Sequence, residues 1–334
     1  MAQDHFATFA QARTAWVVSD GTKGMEVQSL GLAERMGLNT TVLRFPPPGL
    51  LRHLPRSGRW RLMPLPAPCR KAVKESGWPD VIITTGRRMA GLSILLRSKS
   101  RGISRTIHIQ DPKLPTDLFD LMIIPSHDRL RGDNVLVTTG SLNTLTLDKI
   151  NTAARALPPE VRELPRPVIA VMIGGTNRRY TVTEPHLLRL GQVASGLGHA
   201  TGGSLVFIPS RRSHDMAAAC ISATIGKDLL ETPPHWIWDG VSENPYPGIL
   251  GHADALVVTS DSVNMTSEAC LNGKPVYRYH FQEETGRIAL FHAIMDEGGY
   301  TQPLEPFNVM DFPAPSGPGL DETGRVARLL RGQD

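Results

Sequence analysis

Short apolar runs alternate with helix-patterned segments along this chain, and the alternation runs through twice with a proline-rich break between. In the first series, strands are expected at 15–18, 41–43, 81–84, 106–109, 121–124 and 135–137, with helices at 25–36 and 89–99 among them. A helix at 148–155 is followed by LPPEVRELPRP, which carries four prolines in eleven residues. Proline continues neither a helix nor a central strand, so this segment reads as a linker. The pattern then restarts, with strands at 168–173, 204–208, 236–238, 255–258 and 275–279 and helices at 183–195, 216–223, 262–271 and 288–295. Strands alternating with helices make a parallel sheet covered on both faces. At 334 residues the chain exceeds what one core organises. The expected division is a domain at 1–155, a linker at 156–167, a second domain at 168–320, and an amphipathic end segment at 321–334 that docks on either. Ligands in such sheets bind at the C-terminal ends of the strands, here facing a shared central cleft.

With 40% apolar and 20% charged residues the chain has a globular balance, and a formal charge of +4 implies no nucleic-acid partner. The charge is unevenly spread. No acidic residue falls between Glu34 and Glu75, whereas Arg35, Arg44, Arg52, Arg56, Arg59, Arg61, Arg70, Lys71 and Lys74 do. Proline, leucine and Trp60 are interleaved with them, so residues 44–74 could lie on an anionic membrane surface or form a solvated connection. The three cysteines, Cys69, Cys220 and Cys270, have no metal-ligand spacing and fit a reduced, cytoplasmic protein. The first sixteen residues lack a basic segment leading into an apolar core, and no run reaches the ~20 apolar residues that span a bilayer. Membrane contact would then be peripheral, at the inner face of the cytoplasmic membrane.

The densest chemistry lies in HADALVVTSDSVNMTSEACLNGKPVYRYHF, residues 252–281. A buried strand runs into the polar turn Thr259-Ser260-Asp261-Ser262, and a helix then starts with Asp261 or Ser262 as its cap. Free amides and the positive dipole end at such a start suit a phosphate. The strand, the small polar turn, the helix bearing Thr266-Ser267-Glu268 and the closing Gly273-Lys274-Pro275 resemble the donor half of GT-B glycosyltransferases, notably the MurG-type enzymes. The resemblance implies that Glu268 holds the ribose hydroxyls and that Ser260, Asp261, Ser262 and Asn264 lie near the phosphates or sugar. Thr266 and Ser267 would complete that face.

Three further segments join this reading. Gly174, Gly175, Thr176 and Asn177 follow the first strand of the second half, where glycine lets backbone amides approach a diphosphate and Arg178 and Arg179 add charge. Ser210, Arg211, Arg212 and Ser213 follow the next strand. Trp238, Asp239 and Gly240 match the GT-B segment that contacts the base, although Trp236 and Trp238 alternate as strand residues do and at least one belongs to the core. In the first half, Ser19 and Asp20 precede Gly21, Thr22, Lys23 and Gly24 in a turn that would face the acceptor, with Asp20 as candidate general base. Asp111, at another strand end, is the second candidate; His127 and Asp128 follow a third strand. MurG-type enzymes carry a histidine just after the glycine loop, and Met25 stands at that position here.

Taken together, SDGTKGMEVQSLGLAE, HIQDPKLPTDLFDLMIIPSHDR, IGGTNRRY, PSRRS and TSDSVNMTSEACLNGKPVY resemble the mitochondrial-fission "elongated mitochondria" family and its bacterial relatives over most of the chain. That resemblance implies the GT-B fold, two doubly wound Rossmann-like domains. The activity it implies is metal-independent transfer of a sugar from a nucleoside-diphosphate sugar to an envelope glycolipid or other lipid-linked saccharide, with the nucleotide sugar as substrate and no further cofactor. Two other readings stay open: a non-catalytic adaptor that recruits a protein partner, and a nucleotide-sugar epimerase.

Overall fold

The computed structural model describes residues 6, 8–44, 63–227, 231–306, 312–314 and 316–333, which form two compact units. Unit 1 comprises residues 1–144 and 321–334, and unit 2 comprises residues 145–320. Most of the basic segment expected at a membrane, residues 45–62, lies outside the described residues. Its described C-terminal part includes a helix, Ala67–Ser76, that buries Cys69 and Ala72 and leaves Arg70, Lys71 and Lys74 exposed. Among the described residues no helix is long and apolar enough to cross a membrane.

Unit 1 is a six-stranded parallel sheet. Its strands are β1 (Thr14–Ser19), β2 (Asn39–Arg44), β3 (Val81–Thr85), β4 (Arg105–Ile109), β5 (Leu121–Pro125) and β6 (Val135–Thr138), in the order β2-β1-β3-β4-β5-β6. The helices are α1 (Lys23–Arg35), α2 (Ala67–Ser76) and α3 (Arg87–Ser100). β3 and β5 are buried along their whole length, as a sheet covered on both faces requires. Alternate residues serve opposite faces. Val17, Ile83, Ile107 and Ile123 pack with Leu32 on one side, while Trp16, Val18 and Ile82 pack with Met89, Leu92 and Leu96 on the other.

Unit 2 repeats the plan with β7 (Val168–Ile173), β8 (Ser204–Pro209), β9 (His235–Ile237), β10 (Ala255–Thr259), β11 (Val276–Tyr279) and β12 (Gln302–Pro303). The order is β12-β11-β10-β7-β8-β9, with every pair parallel. Its helices are α4 (Leu147–Arg155), α5 (Pro159–Arg162), α6 (Glu184–Thr201), α7 (His214–Thr224), α8 (Tyr246–His252), α9 (Val263–Ala269) and α10 (Gly286–Glu297).

One boundary differs from the expected ones. The helix at 147–155 belongs to unit 2, so the division falls after Thr144 and the proline-rich segment is internal to that unit. The cause is packing: Ile150 joins a core with Leu157, Val161, Ile249 and Leu250. The α4 and α8 backbones lie so close that a Cβ on Gly248 or Gly251 would sit 2.7 or 2.6 Å from a carbonyl oxygen of α4. The end segment forms α11 (Glu322–Arg331) and joins unit 1. Arg331 donates to the Ala10 and Ala12 carbonyls at 2.9 and 2.8 Å, and Thr323 exchanges hydrogen bonds with the Asn143 backbone.

Candidate functional site

In unit 2 the chain lays β7, β8 and β9 outward on one side and then returns to place β10 on the other side of β7. Loops that follow β7 and β10 therefore leave the sheet in opposite directions, which opens a crevice at the reversal point. Gly174 and Gly175 end β7 at this point, and Ser260, Asp261 and Ser262 end β10.

The turn is tightly interlocked. A Cβ on Gly174 would lie 2.0 Å from an Asp261 carboxylate oxygen, so only glycine fits. The Gly174 N–H donates to Thr259 Oγ1 at 2.8 Å and the Gly175 N–H to Asp261 Oδ2 at 3.0 Å, while the Thr259 hydroxyl donates to Asp261 Oδ1 at 2.7 Å. The expectation that these two amides approach a diphosphate is thus corrected: both are spent on side chains at the end of β10. Asn177 donates to the Asp261 carbonyl at 3.2 Å and accepts from the Arg179 and Tyr180 amides at 2.8 and 3.2 Å. Ser213 donates to the Gly174 carbonyl and lies 3.2 Å from the Ser210 hydroxyl. Arg212 reaches across, 3.1 Å from the Thr176 carbonyl and 3.3 Å from Asp261. Burial raises the Asp261 pKa above its ordinary value, against the hydrogen bonds from Thr259 and Gly175 and the charge of Arg212. Thr176, Arg178, Arg179, Arg211 and Arg212 remain exposed around this frame.

The α9 helix starts at the cap Ser262, whose hydroxyl accepts from the Met265 amide at 3.3 Å. Thr266 and Ser267 are buried, with their hydroxyls on carbonyls of their own helix, so they present nothing to a ligand. Asn264 is partly exposed on the first turn. Glu268 is partly buried and accepts from the Tyr246 hydroxyl at 2.8 Å. Burial pushes its carboxyl up to about 7, against that hydrogen bond. Trp238 is corrected: its ring is buried in the unit 2 core and its indole N–H donates to Ser242 at 3.1 Å, leaving no face for a base.

A group that sequence reasoning missed lies beside this turn. The loop from β11 to α10, residues 280–285, borders a cavity of about 410 Å³ lined by Arg278, His280, Glu283, Glu284, His292 and Asp296 among others. A second cavity of about 380 Å³ shares Glu283 and Glu284 and adds Arg179, Tyr180 and Arg287. The loop touches the crevice directly. His292 Nε2 donates to the Ser260 carbonyl at 2.9 Å, and Gln282 donates to the Arg179 carbonyl at 3.1 Å. Burial lowers the His292 pKa, which keeps the ring neutral. Burial raises Glu284, but hydrogen bonds from His280 and Ser260 and the nearby imidazoles outweigh it and hold the carboxyl below its ordinary value. The signal was available as HFQEETGRIALFH, a polar run with two histidines and two glutamates directly after a strand.

Unit 1 has its own reversal between β1 and β3. Here Gly21 adopts φ +80°, its amide donates to Ser19 at 3.0 Å, and the Thr22 amide donates to Asp20 at 3.0 Å. Lys23 and Gly24 open α1, where the Gly24 carbonyl accepts from Gln28 at 3.2 Å. Asp20 is 3.2 Å from Arg88. Burial alone would raise its pKa, but the Thr22 hydrogen bonds and Arg88 hold it below the ordinary carboxylate value. Asp111 is buried, pairs with the Lys113 ammonium and accepts from the Lys113 amide at 2.7 Å. His127 and Asp128 are buried as well.

Two doubly wound parallel units of this kind define the GT-B class, and the solved structures that the chain resembles belong to it. The UDP-GlcNAc 2-epimerase from Methanocaldococcus jannaschii matches with a TM-score of 0.57 at 12% identity, over 95% of this chain and 99% of that one. The Neisseria meningitidis UDP-GlcNAc 2-epimerase bound to UDP-GlcNAc matches at 0.56 and 12%, over 95% and 98%. A UDP-glucosyltransferase from Polygonum tinctorium matches at 0.52 and 10%, over 97% and 93%. At such identities the likeness concerns the fold. Residues 23–333 match the family described as Mitochondrial fission ELM1, and the chain belongs to that family. The Arabidopsis thaliana mitochondrial fission protein ELM1 is 30% identical over 284 residues, 77% of this chain, and the chain spans 64% of that relative's length. An uncharacterized protein of Rickettsia prowazekii (strain Madrid E) is 26% identical over 305 residues, 79% of this chain and 82% of that one.

Proposed function

We propose that unit 2 binds a nucleoside-diphosphate sugar at the β7/β10 reversal and that the protein transfers the sugar to an acceptor hydroxyl. The observation that carries this reading is the frame at the crevice, where three strand ends lock together through Asp261 and leave arginines exposed around it. A diphosphate would rest on Arg178, Arg179, Arg211 and Arg212 and on the outward side of Thr176, Ser262 and Asn264, since the Gly174 and Gly175 amides are occupied. Arginine suits this task because its planar fork matches phosphate oxygens. Glu268, with a carboxyl that titrates near neutrality, would take the ribose hydroxyls.

In the transfer, the acceptor oxygen bonds to the anomeric carbon while the bond from that carbon to the diphosphate breaks. The electron pair leaves with the diphosphate, where the arginines stabilise it without a metal. The acceptor proton passes to a base, for which Asp20 is the first candidate and Asp111 the second. The acceptor we propose is a lipid-linked or envelope saccharide at the inner face of the cytoplasmic membrane. The cation-rich, acid-free stretch around residues 44–74 and the exposed Arg70, Lys71 and Lys74 support that placing.

A second reading, a GT-B adaptor without catalysis, is favoured by unit 1. Both candidate bases are held by cations, Asp20 by Arg88 and Asp111 by Lys113, and Met25 replaces the histidine of the MurG-type loop.

Thermal melting in the presence of UDP, GDP and their sugar derivatives tests the binding step. The expected result is a rise of several degrees with one nucleotide series that Glu268→Ala abolishes. A flat response across the panel contradicts it. Incubation with the binding nucleotide sugar and a membrane extract then separates the activities: released nucleoside diphosphate with a glycosylated lipid means transfer, an isomerised sugar without acceptor means epimerisation, and neither means an adaptor.

A further inference from the structure

A charged cavity of about 360 Å³ lies in unit 1 where α3 ends and β4 and β5 begin, lined by Arg97, Arg101, Arg105, Leu118 and Asp120 among others. Ligands of doubly wound sheets bind at the C-terminal strand ends, where the turn at Asp20 also lies. This cavity is at the N-terminal ends, so it is separate from that turn.

Its charges do not balance. Asp120 is the one acidic residue that lines it among the described residues, and its carboxylate is fully engaged. Oδ1 accepts from Arg97 Nε at 2.9 Å and lies 3.8 Å from Arg105 Nη1, while Oδ2 accepts from the Thr106 amide at 2.8 Å and the Thr106 hydroxyl at 3.0 Å. Two guanidinium groups therefore share one carboxylate oxygen. Arg97 also donates to the Asp117 carbonyl at 2.8 Å. Arg105 is half exposed, and Arg101 is exposed with no ion-pair partner among the described residues. Cations at a helix C-terminus serve its free carbonyls. Here the Ser100 hydroxyl and the Ile103 amide already take the Arg97 and Ser100 carbonyls, at 3.0 and 3.1 Å, and Arg105 opens a strand. Arg101 also holds φ +52°, a left-handed cap position that favours glycine, although Gly102 follows directly at φ +87°.

We propose that this cavity binds a phosphate monoester, with the dianionic phosphate between Arg101 and Arg105 and the organic part against Leu118. Guanidinium forks match phosphate oxygens, and a dianion offsets the two cations that Asp120 leaves uncompensated. The volume falls in the range of small-molecule sites, which leaves room beyond the phosphate. The same group occurs on soluble phosphate esters and on the headgroup of phosphatidic acid. The site does not depend on the nucleotide-sugar reading of unit 2.

Calorimetric titration of the full chain with glycerol 3-phosphate, at about 0.15 M salt, tests it beside sedimentation with phosphatidylcholine vesicles with and without phosphatidic acid. Arg101→Gly is the informative variant, because glycine suits the positive φ: the melting temperature should hold or rise while affinity falls at least about tenfold. Arg105→Ala should weaken binding by a similar factor. Binding of the soluble ester that both variants weaken supports the site with a free ligand. Vesicle binding that needs phosphatidic acid and that both variants weaken, without a response to the soluble ester, supports it with a lipid headgroup. Phosphate held elsewhere, as by the arginines of unit 2, would persist in both variants. Affinity that survives either substitution, or no response to either probe, overturns the proposal.

Discussion

The two strand-order reversals, one per unit, use similar loop chemistry to opposite ends. In unit 1 the turn is self-contained: Ser19, Asp20 and Thr22 bond within the loop, Asp20 and Glu26 are each claimed by an arginine, and the pocket there is too narrow for a water-sized body. In unit 2 the polar residues are spent across strand ends instead, through Asp261, and the loops beside them border two cavities. The same types of small and acidic residue therefore give a closed turn in one place and a braced, open crevice in the other. What differs is whether the carboxylate accepts from a backbone amide of its own loop, as Asp20 does from Thr22, or from one at the end of the neighbouring strand, as Asp261 does from Gly175.

The glycines of the two turns should separate most sharply. Gly174→Ala drives a methyl into the Asp261 carboxylate and breaks the brace, with an expected loss of about 2–4 kcal/mol in chemical denaturation. Gly21→Ala meets open space and costs only the strain of positive φ, about 1 kcal/mol. Equal losses would mean that the Asp261 brace carries no load.

A pH effect comes next. Glu268 holds its proton to about pH 7 in the folded protein, above the ordinary value of 4.5. Between these values the folded state binds more protons than the unfolded chain, so this group's contribution to stability falls as pH rises through that window. Glu268→Gln should remove the slope and leave the variant roughly 1–3 kcal/mol more stable than the parent at pH 8, by denaturation at several pH values. A slope unchanged by the substitution would remove Glu268 from the account.

The smallest effect belongs to unit 1. Arg88→Ala should let the Asp20 carboxyl rise toward its ordinary value, seen by NMR titration, with less than about 1 kcal/mol lost because the pair is partly exposed. A large loss would show that Asp20 and Arg88 serve the fold.

Much of the architecture was legible because buried parallel strands write themselves as continuous apolar runs. The runs at 168–173 and 204–208 fall on β7 and β8, and the family resemblance and the GT-B class follow from motifs in a fixed order. The unit boundary was not legible, since four prolines look like a linker whether or not a neighbouring helix packs beyond them. The α8 helix was hidden for a related reason: Gly248 and Gly251 lower helix propensity, and only the close approach of α4 explains them. Trp238 looked like a base platform, yet its ring fills the core. The glycine turn was placed correctly at a strand end, but the sequence could not say that Asp261, 86 residues beyond Gly175, takes its amide.

Crystals of the full chain grown with the nucleoside diphosphate that raises its melting temperature would decide the central claim. Phosphate oxygens contacting Arg178, Arg179, Arg211 or Arg212, with Glu268 on the ribose, is the result the account requires. A nucleotide bound elsewhere, with Arg212 still on Asp261 and Glu268 still on Tyr246, would contradict it.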